Sequence, residues 1–81
     1  MSAPQYSAMG GVIFTREHMP LTLERAHQIK LIHLRNAQHW LQSDAYSQTA
    51  RLGMAKLEQS LADEMDAALS EAVSELRKIA A

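Results

Sequence analysis

Along the last forty residues of the chain, apolar positions return at intervals of four and three. Ala50, Met54, Leu57, Leu61, Met65, Ala68, Ala72, Leu76 and Ile79 are spaced 4-3-4-4-3-4-4-3. An eleven-residue repeat of this kind stays in phase along a nearly straight helix. Beside it runs a second stripe of Ala55, Ala62, Leu69, Val73 and Ala80. Two adjacent stripes suit a helix that packs against two neighbours. This second helix is expected from about Asp44 to Ala80, with Ser43 as N-cap and Gly53 as a weak point or kink.

A first helix is expected from Leu23 to about Gln42. Thr22 precedes it as a candidate N-cap, and Glu24 stands in the first turn, where the helix dipole favours an acid. Leu23, Ala26, Ile29, Leu34, Ala37, Trp40 and Leu41 fall on one broad face, with Lys30 and His33 inside it. Leu31 and Ile32 lie off that face, so this helix too is expected to be touched from more than one side.

Residues 1–20 read differently. They hold both prolines and two of the three glycines, around the β-branched and aromatic run Val12-Ile13-Phe14. One short strand has no partner in an otherwise helical chain. The segment is therefore expected to be an arm, extended or as a short strand, ahead of a helical hairpin over residues 21–81. The fold expected is all-α: one shorter and one long antiparallel helix, dimerising into a four-helix bundle.

The helix lengths turn this into an expectation about partners. At 1.5 Å per residue the first helix spans roughly 30 Å and the second roughly 55 Å. A fold at Ser43 sets Leu23 opposite Glu64, so Met65, Leu69, Val73, Leu76 and Ile79 overhang. Five such side chains are worth on the order of 10 kcal/mol if buried, comparable with the whole stability of a small domain. A second copy is the favoured cover, and the arm, through Val12, Ile13, Phe14 and Met19, is the other. These residues, Val12, Ile13, Phe14, Met65, Leu69, Val73, Leu76 and Ile79, form the expected interface with a second copy or another protein. Trp40 and Tyr46, flanking the turn, are candidate partner anchors.

Composition narrows the rest. At 81 residues the chain is one small domain, and it contains no cysteine, which excludes disulfides and thiolate metal sites. The net charge of −1 draws the chain toward neither nucleic acid nor anionic membrane. Charge is unevenly placed: residues 1–42 carry four cations against two acids, residues 43–81 four against seven. No secretory leader pattern and no apolar run long enough for a membrane span is visible, which points to the cytoplasm.

Candidate chemistry is sparse. His27, His33 and His39 recur every six residues, so on a helix their rings point 120° apart and cannot share one ion. His33, beside Lys30 on the apolar face, is expected to meet a carboxylate of the second helix, with a pH-sensitive interface as the lesser reading. Glu24-Arg25-Ala26-His27 matches the Glu-x-x-His element of di-metal helix bundles, with Asp63 and Glu64 in reach, but Glu24 stands off the apolar face. Asp63, Glu64 and Asp66 read as a solvated acidic face. No nucleophile motif is present, and neither cofactor nor metal is expected. The function expected is a non-catalytic protein–protein interaction module, such as an adaptor, a chaperone-like or an inhibitory protein, working as a homodimer. A dimeric nucleic-acid-binding transcriptional regulator is the alternative, weakened because Arg25, Lys30 and Arg35 are scattered around the first helix.

Overall fold

A computed structural model describes residues 4–80. Strands β1 (Tyr6–Met9), β2 (Val12–Thr15) and β3 (Pro20–Leu21) precede helices α1 (Leu23–Gln42) and α2 (Gln48–Ala80). The strands form an antiparallel sheet in the order β1-β2-β3. The fold is therefore not all-α, and the four-helix bundle drawn from the hairpin alone gives way with it. The run Val12-Ile13-Phe14 has partners on both sides: Ile13 stands opposite Ala8 and Leu21, and Phe14 opposite Ser7 and Pro20.

Gly10 and Gly11 make the first turn, with φ of 63° and 83°. Both residues at positive φ is what a tight two-residue hairpin of right-handed twist requires. Gly11 is fixed twice over, because a Cβ there would come within 2.6 Å of Leu76 Cδ2. The β2–β3 turn closes through His18, held at φ 64°, whose N–H donates to the Thr15 carbonyl, while Thr15 N–H donates to Met19.

The helices also part from the sequence reading at their junction. Thr22 does cap α1, its hydroxyl accepting from Arg25 N–H. Ser43, however, ends α1 instead of starting α2, its N–H donating to the Trp40 carbonyl. The N-cap of α2 is Ser47, whose hydroxyl accepts from Ala50 N–H at 3.2 Å. The longer connection moves the hairpin register. Lys30 meets Asp66 and His33 meets Glu58, which carries Leu23 past Glu64, so α1 covers more of α2 than a turn at Ser43 would allow. Gly53 is an ordinary helical position, with nothing within 4 Å of a Cβ placed there.

What remains of the overhang is covered in cis in part, with Leu76 and Ile79 still exposed. The core cluster joins Ile13 of β2 and Ala26 of α1 to Met65, Ala68 and Ala72 of α2, with Tyr6, Ala8, Leu21, Leu23, Ile29 and Leu69 packed around it. The described part of residues 1–20 contributes Ile13, Tyr6 and Ala8 to this core as a layer of short strands. A second copy is not what encloses Met65, which is 0 % exposed within the single chain.

The strand and the helix match in length. Gln5 N–H donates to Glu64 and Gly10 N–H to Glu75. Five strand steps of about 3.4 Å and eleven helical steps of 1.5 Å both come to roughly 17 Å. Eleven residues also return to the same side of a helix. Two carboxylates on one α2 face thus clamp both ends of β1.

Candidate protein interface

The buried core is made mostly of small side chains. Of the eight buried hydrophobic residues among those described, six are alanines; only Ile13 and Met65 are large. Alanine brings α1 and α2 close together but gains little from leaving water. The large apolar side chains sit outside: eleven are exposed among the described residues, from Val12 at 39 % to Met9 at 73 %. A small domain with its bulk on the surface has its main hydrophobic resource still unspent.

Two surfaces hold four of these side chains, Met9 and Val12 on one and Ile32 and Leu57 on the other. The first is the outer face of the sheet. Successive strand residues alternate between faces; Ala8, Ile13 and Leu21 turn to the core, which turns Met9, Val12, Phe14 and Pro20 outward. The second is the part of the helical hairpin that the sheet leaves uncovered. On α2, Leu57 and Leu61 continue toward the N-terminus the stripe that carries Glu64, Ala68, Ala72 and Glu75 under the sheet. On α1, Asn36 and Trp40 continue the stripe of Ile29 and His33. Trp40, Met54 and Leu61 are half-buried, and Leu57 and Ile32 are 52 % and 40 % exposed.

At the boundary between shelf and sheet, three polar side chains from three elements meet. The Tyr6 hydroxyl lies 2.9 Å from His33 Nε2, and His33 Nδ1 lies 2.7 Å from a Glu58 oxygen. An ionised carboxylate only accepts, so Nδ1 donates to Glu58; in the neutral ring, Nε2 then accepts the Tyr6 proton. Both members of the His33–Glu58 pair are about one-sixth exposed, at 15 % and 16 %. The arrangement has the connectivity of a nucleophile–base–orienter triad, with the phenol in the nucleophile's place. Burial, followed by the charges of Glu58, Glu64 and Glu17, pushes the Tyr6 hydroxyl above its ordinary value of 10.0. It holds its proton, and the group acts as a strut joining β1, α1 and α2.

The remaining expected site residues are dispersed. Ile13 and Met65 belong to the interior; Leu69 and Val73 are half-buried; Val12, Leu76 and Ile79 are exposed. Lys30 pairs with Asp66 at 3.2 Å, and both line an open groove of about 470 Å³ with His27, Leu69, Val73 and Arg77 on the side away from the strut. The acidic face is partly engaged: Asp63 accepts from Gln59, and Glu64 holds β1. Trp40 and Tyr46 stack at a tilt, centroids 5.0 Å apart, closing the end of the hairpin, with Tyr46 57 % exposed. Among the described residues no three His, Asp or Glu side chains converge as metal ligands, so the Glu24–His27 element gathers no partners. No described helix is long and apolar enough to cross a membrane.

The sheet face was missed in the sequence because β1 was not recognised. The signal was there: Gly10-Gly11 between two short runs is a two-residue hairpin loop. Comparison with protein-family models, curated proteins and solved structures finds no match, so the functional reading rests on geometry.

Proposed function

We propose that this chain is a non-catalytic protein–protein interaction module that works as a homodimer, in the manner of a small adaptor, chaperone-like or inhibitory protein. One observation carries the reading: the interior is mostly alanine, while eleven large apolar side chains are exposed among the described residues. The cations give less support to nucleic acid, since Lys30 is paired with Asp66 and Arg51 donates to the Leu41 carbonyl.

Sedimentation equilibrium of the purified chain from micromolar to millimolar concentration tests the reading. The expected result is a dimer mass with a concentration-dependent thermal midpoint. A monomer throughout that range, with no apolar-dye binding to the bare surface, would overturn it.

A further inference from the structure

The groove between α1 and α2 on the side away from the strut has a volume of about 470 Å³, inside the roughly 300–1,000 Å³ of small-molecule sites. Its floor is Leu69 and Val73, both half-buried. Ser70, Ser74 and Arg77 line it from α2, at the i, i+4, i+7 spacing that sets side chains on one helix face. His27 and Lys30 line it from α1. Asp66 is the one acid of the lining, and its carboxylate is tied to the Lys30 ammonium at 3.2 Å. Lys30 and Arg77 against Asp66 give 2 − 1 = +1, within a chain of net charge −1. Among the described residues neither Arg77 nor His27 has an ion-pair partner. We infer that this groove binds a small organic anion with an apolar body. A carboxylate or phosphate head is held by Arg77 and His27, and a hydrocarbon portion lies on Leu69 and Val73.

Three features place the head at the Arg77 end. A long helical side chain leans toward the N-terminus of its helix, so Arg77 reaches back over Ser74 into the groove. Its guanidinium donates in a fork that matches the oxygens of a carboxylate or phosphate, and the two serine hydroxyls beside it can donate to the same oxygens. At the other end the Lys30–Asp66 pair closes the groove, and the smaller hollow beyond it, of about 260 Å³, adds the carboxylate of Asp63. A second acid there repels an anion, while the Arg77 end offers cations and hydroxyls without one. The inference goes beyond the homodimeric reading and does not depend on it, since the groove is complete within one chain.

Four probes test it: octanoate, octyl phosphate, octyltrimethylammonium and inorganic phosphate, each titrated into the isotope-labelled chain below micelle-forming concentration while amide shifts are followed by NMR. Saturable shifts at Ser70, Ser74 and Arg77 are expected with octanoate or octyl phosphate, at one ligand per chain, and the tighter of the two identifies the head. Octyltrimethylammonium and inorganic phosphate are expected to leave these amides unmoved at the same concentrations. Arg77→Gln, at an exposed position where folding is little affected, should weaken binding by about tenfold or more, the loss of a charge-assisted hydrogen bond. Asp66→Asn frees the Lys30 ammonium and should tighten binding severalfold, a gain that no misfolded variant would give. Four results overturn the inference: no saturable shift with either anion, equal binding of the ammonium, equal binding of inorganic phosphate, or shifts centred on Met9 and Val12 of the sheet.

Discussion

Two stretches of α2, each eleven helical steps long, share an apolar period and differ in what lies on them. Glu64–Glu75 is roofed by the sheet, pinned at both ends by carboxylate contacts to β1, and encloses Met65, Ala68 and Ala72. Ala50–Leu61 buries Ala55 and meets α1 through Glu58 and Arg51, but no strand covers it, and Leu57 is 52 % exposed. The same helical code serves folding in one stretch and is left over in the other. A stripe of hydrophobic residues fixes that something will cover it; whether that cover is local or foreign depends on where the neighbouring chain runs.

Removing a large side chain from each stretch breaks the comparison most directly. Met65→Ala empties a site with no exposure and is expected to cost about 2–5 kcal/mol. Leu57→Ala removes a half-exposed side chain and is expected to change the stability of the dilute monomer by about 0.5 kcal/mol or less. Urea melts at low micromolar concentration decide the point. Equal losses would mean that the bare stretch is packed within the monomer.

The hairpin turn supplies the next largest effect. Gly11→Ala forces a side chain into positive φ, at about 1–2 kcal/mol, and drives its Cβ against Leu76. Pairing it with Leu76→Ala is expected to recover the steric part of the loss and leave the backbone part. Complete recovery would show that φ at Gly11 is not constrained.

Much of this was legible in the chain, and the omissions have causes. The α1 boundaries followed from Thr22 and the apolar face, and the eleven-residue period of α2 was plain from Ala50 onward. Ser43 and Ser47 are both competent caps, and the sequence does not rank them; the choice between them moved the register that pairs α1 with α2. The sheet was hidden because Tyr6-Ser7-Ala8-Met9 is too short and too small to read as a strand until Gly10-Gly11 pairs it with Val12–Thr15. Glu64 and Glu75 looked like solvent-facing acids because their partners are backbone N–H groups, which leave no trace in side-chain identity. Among the site residues, the sequence placed His33 against a carboxylate of the second helix, which is Glu58. It gave no hint of Tyr6, because that contact depends on β1.

Tyr6 offers a smaller effect that sharpens the boundary between the stretches. Tyr6→Phe deletes one neutral hydrogen bond to His33 and is expected to cost about 1 kcal/mol at neutral pH. The phenol is held above its ordinary value of 10.0 in the folded chain, so the unfolded chain releases this proton first. As pH rises past 10, the unfolded state binds fewer protons than the native one and stability falls until the folded phenol also ionises. Tyr6→Phe is expected to soften that alkaline decline. Parallel thermal midpoints of the two proteins between pH 9 and 11 would show that Tyr6 ionises alike in both states.

The smallest effect has the opposite sign and uses the same substitution as the turn. Gly53 lies in the bare stretch, in ordinary helical conformation, with open space where a Cβ would go. Gly53→Ala therefore gains helix propensity without steric loss and is expected to stabilise the chain by roughly 0.5–1 kcal/mol. The gain should appear in the monomer and persist at all protein concentrations, since no partner atom is needed for it. If the substitution instead destabilises the dimer while leaving the dilute monomer unchanged or improved, another backbone approaches α2 at Gly53 in the assembly. One glycine is thus kept by its conformation and its neighbour Leu76, and the other by nothing in the single chain.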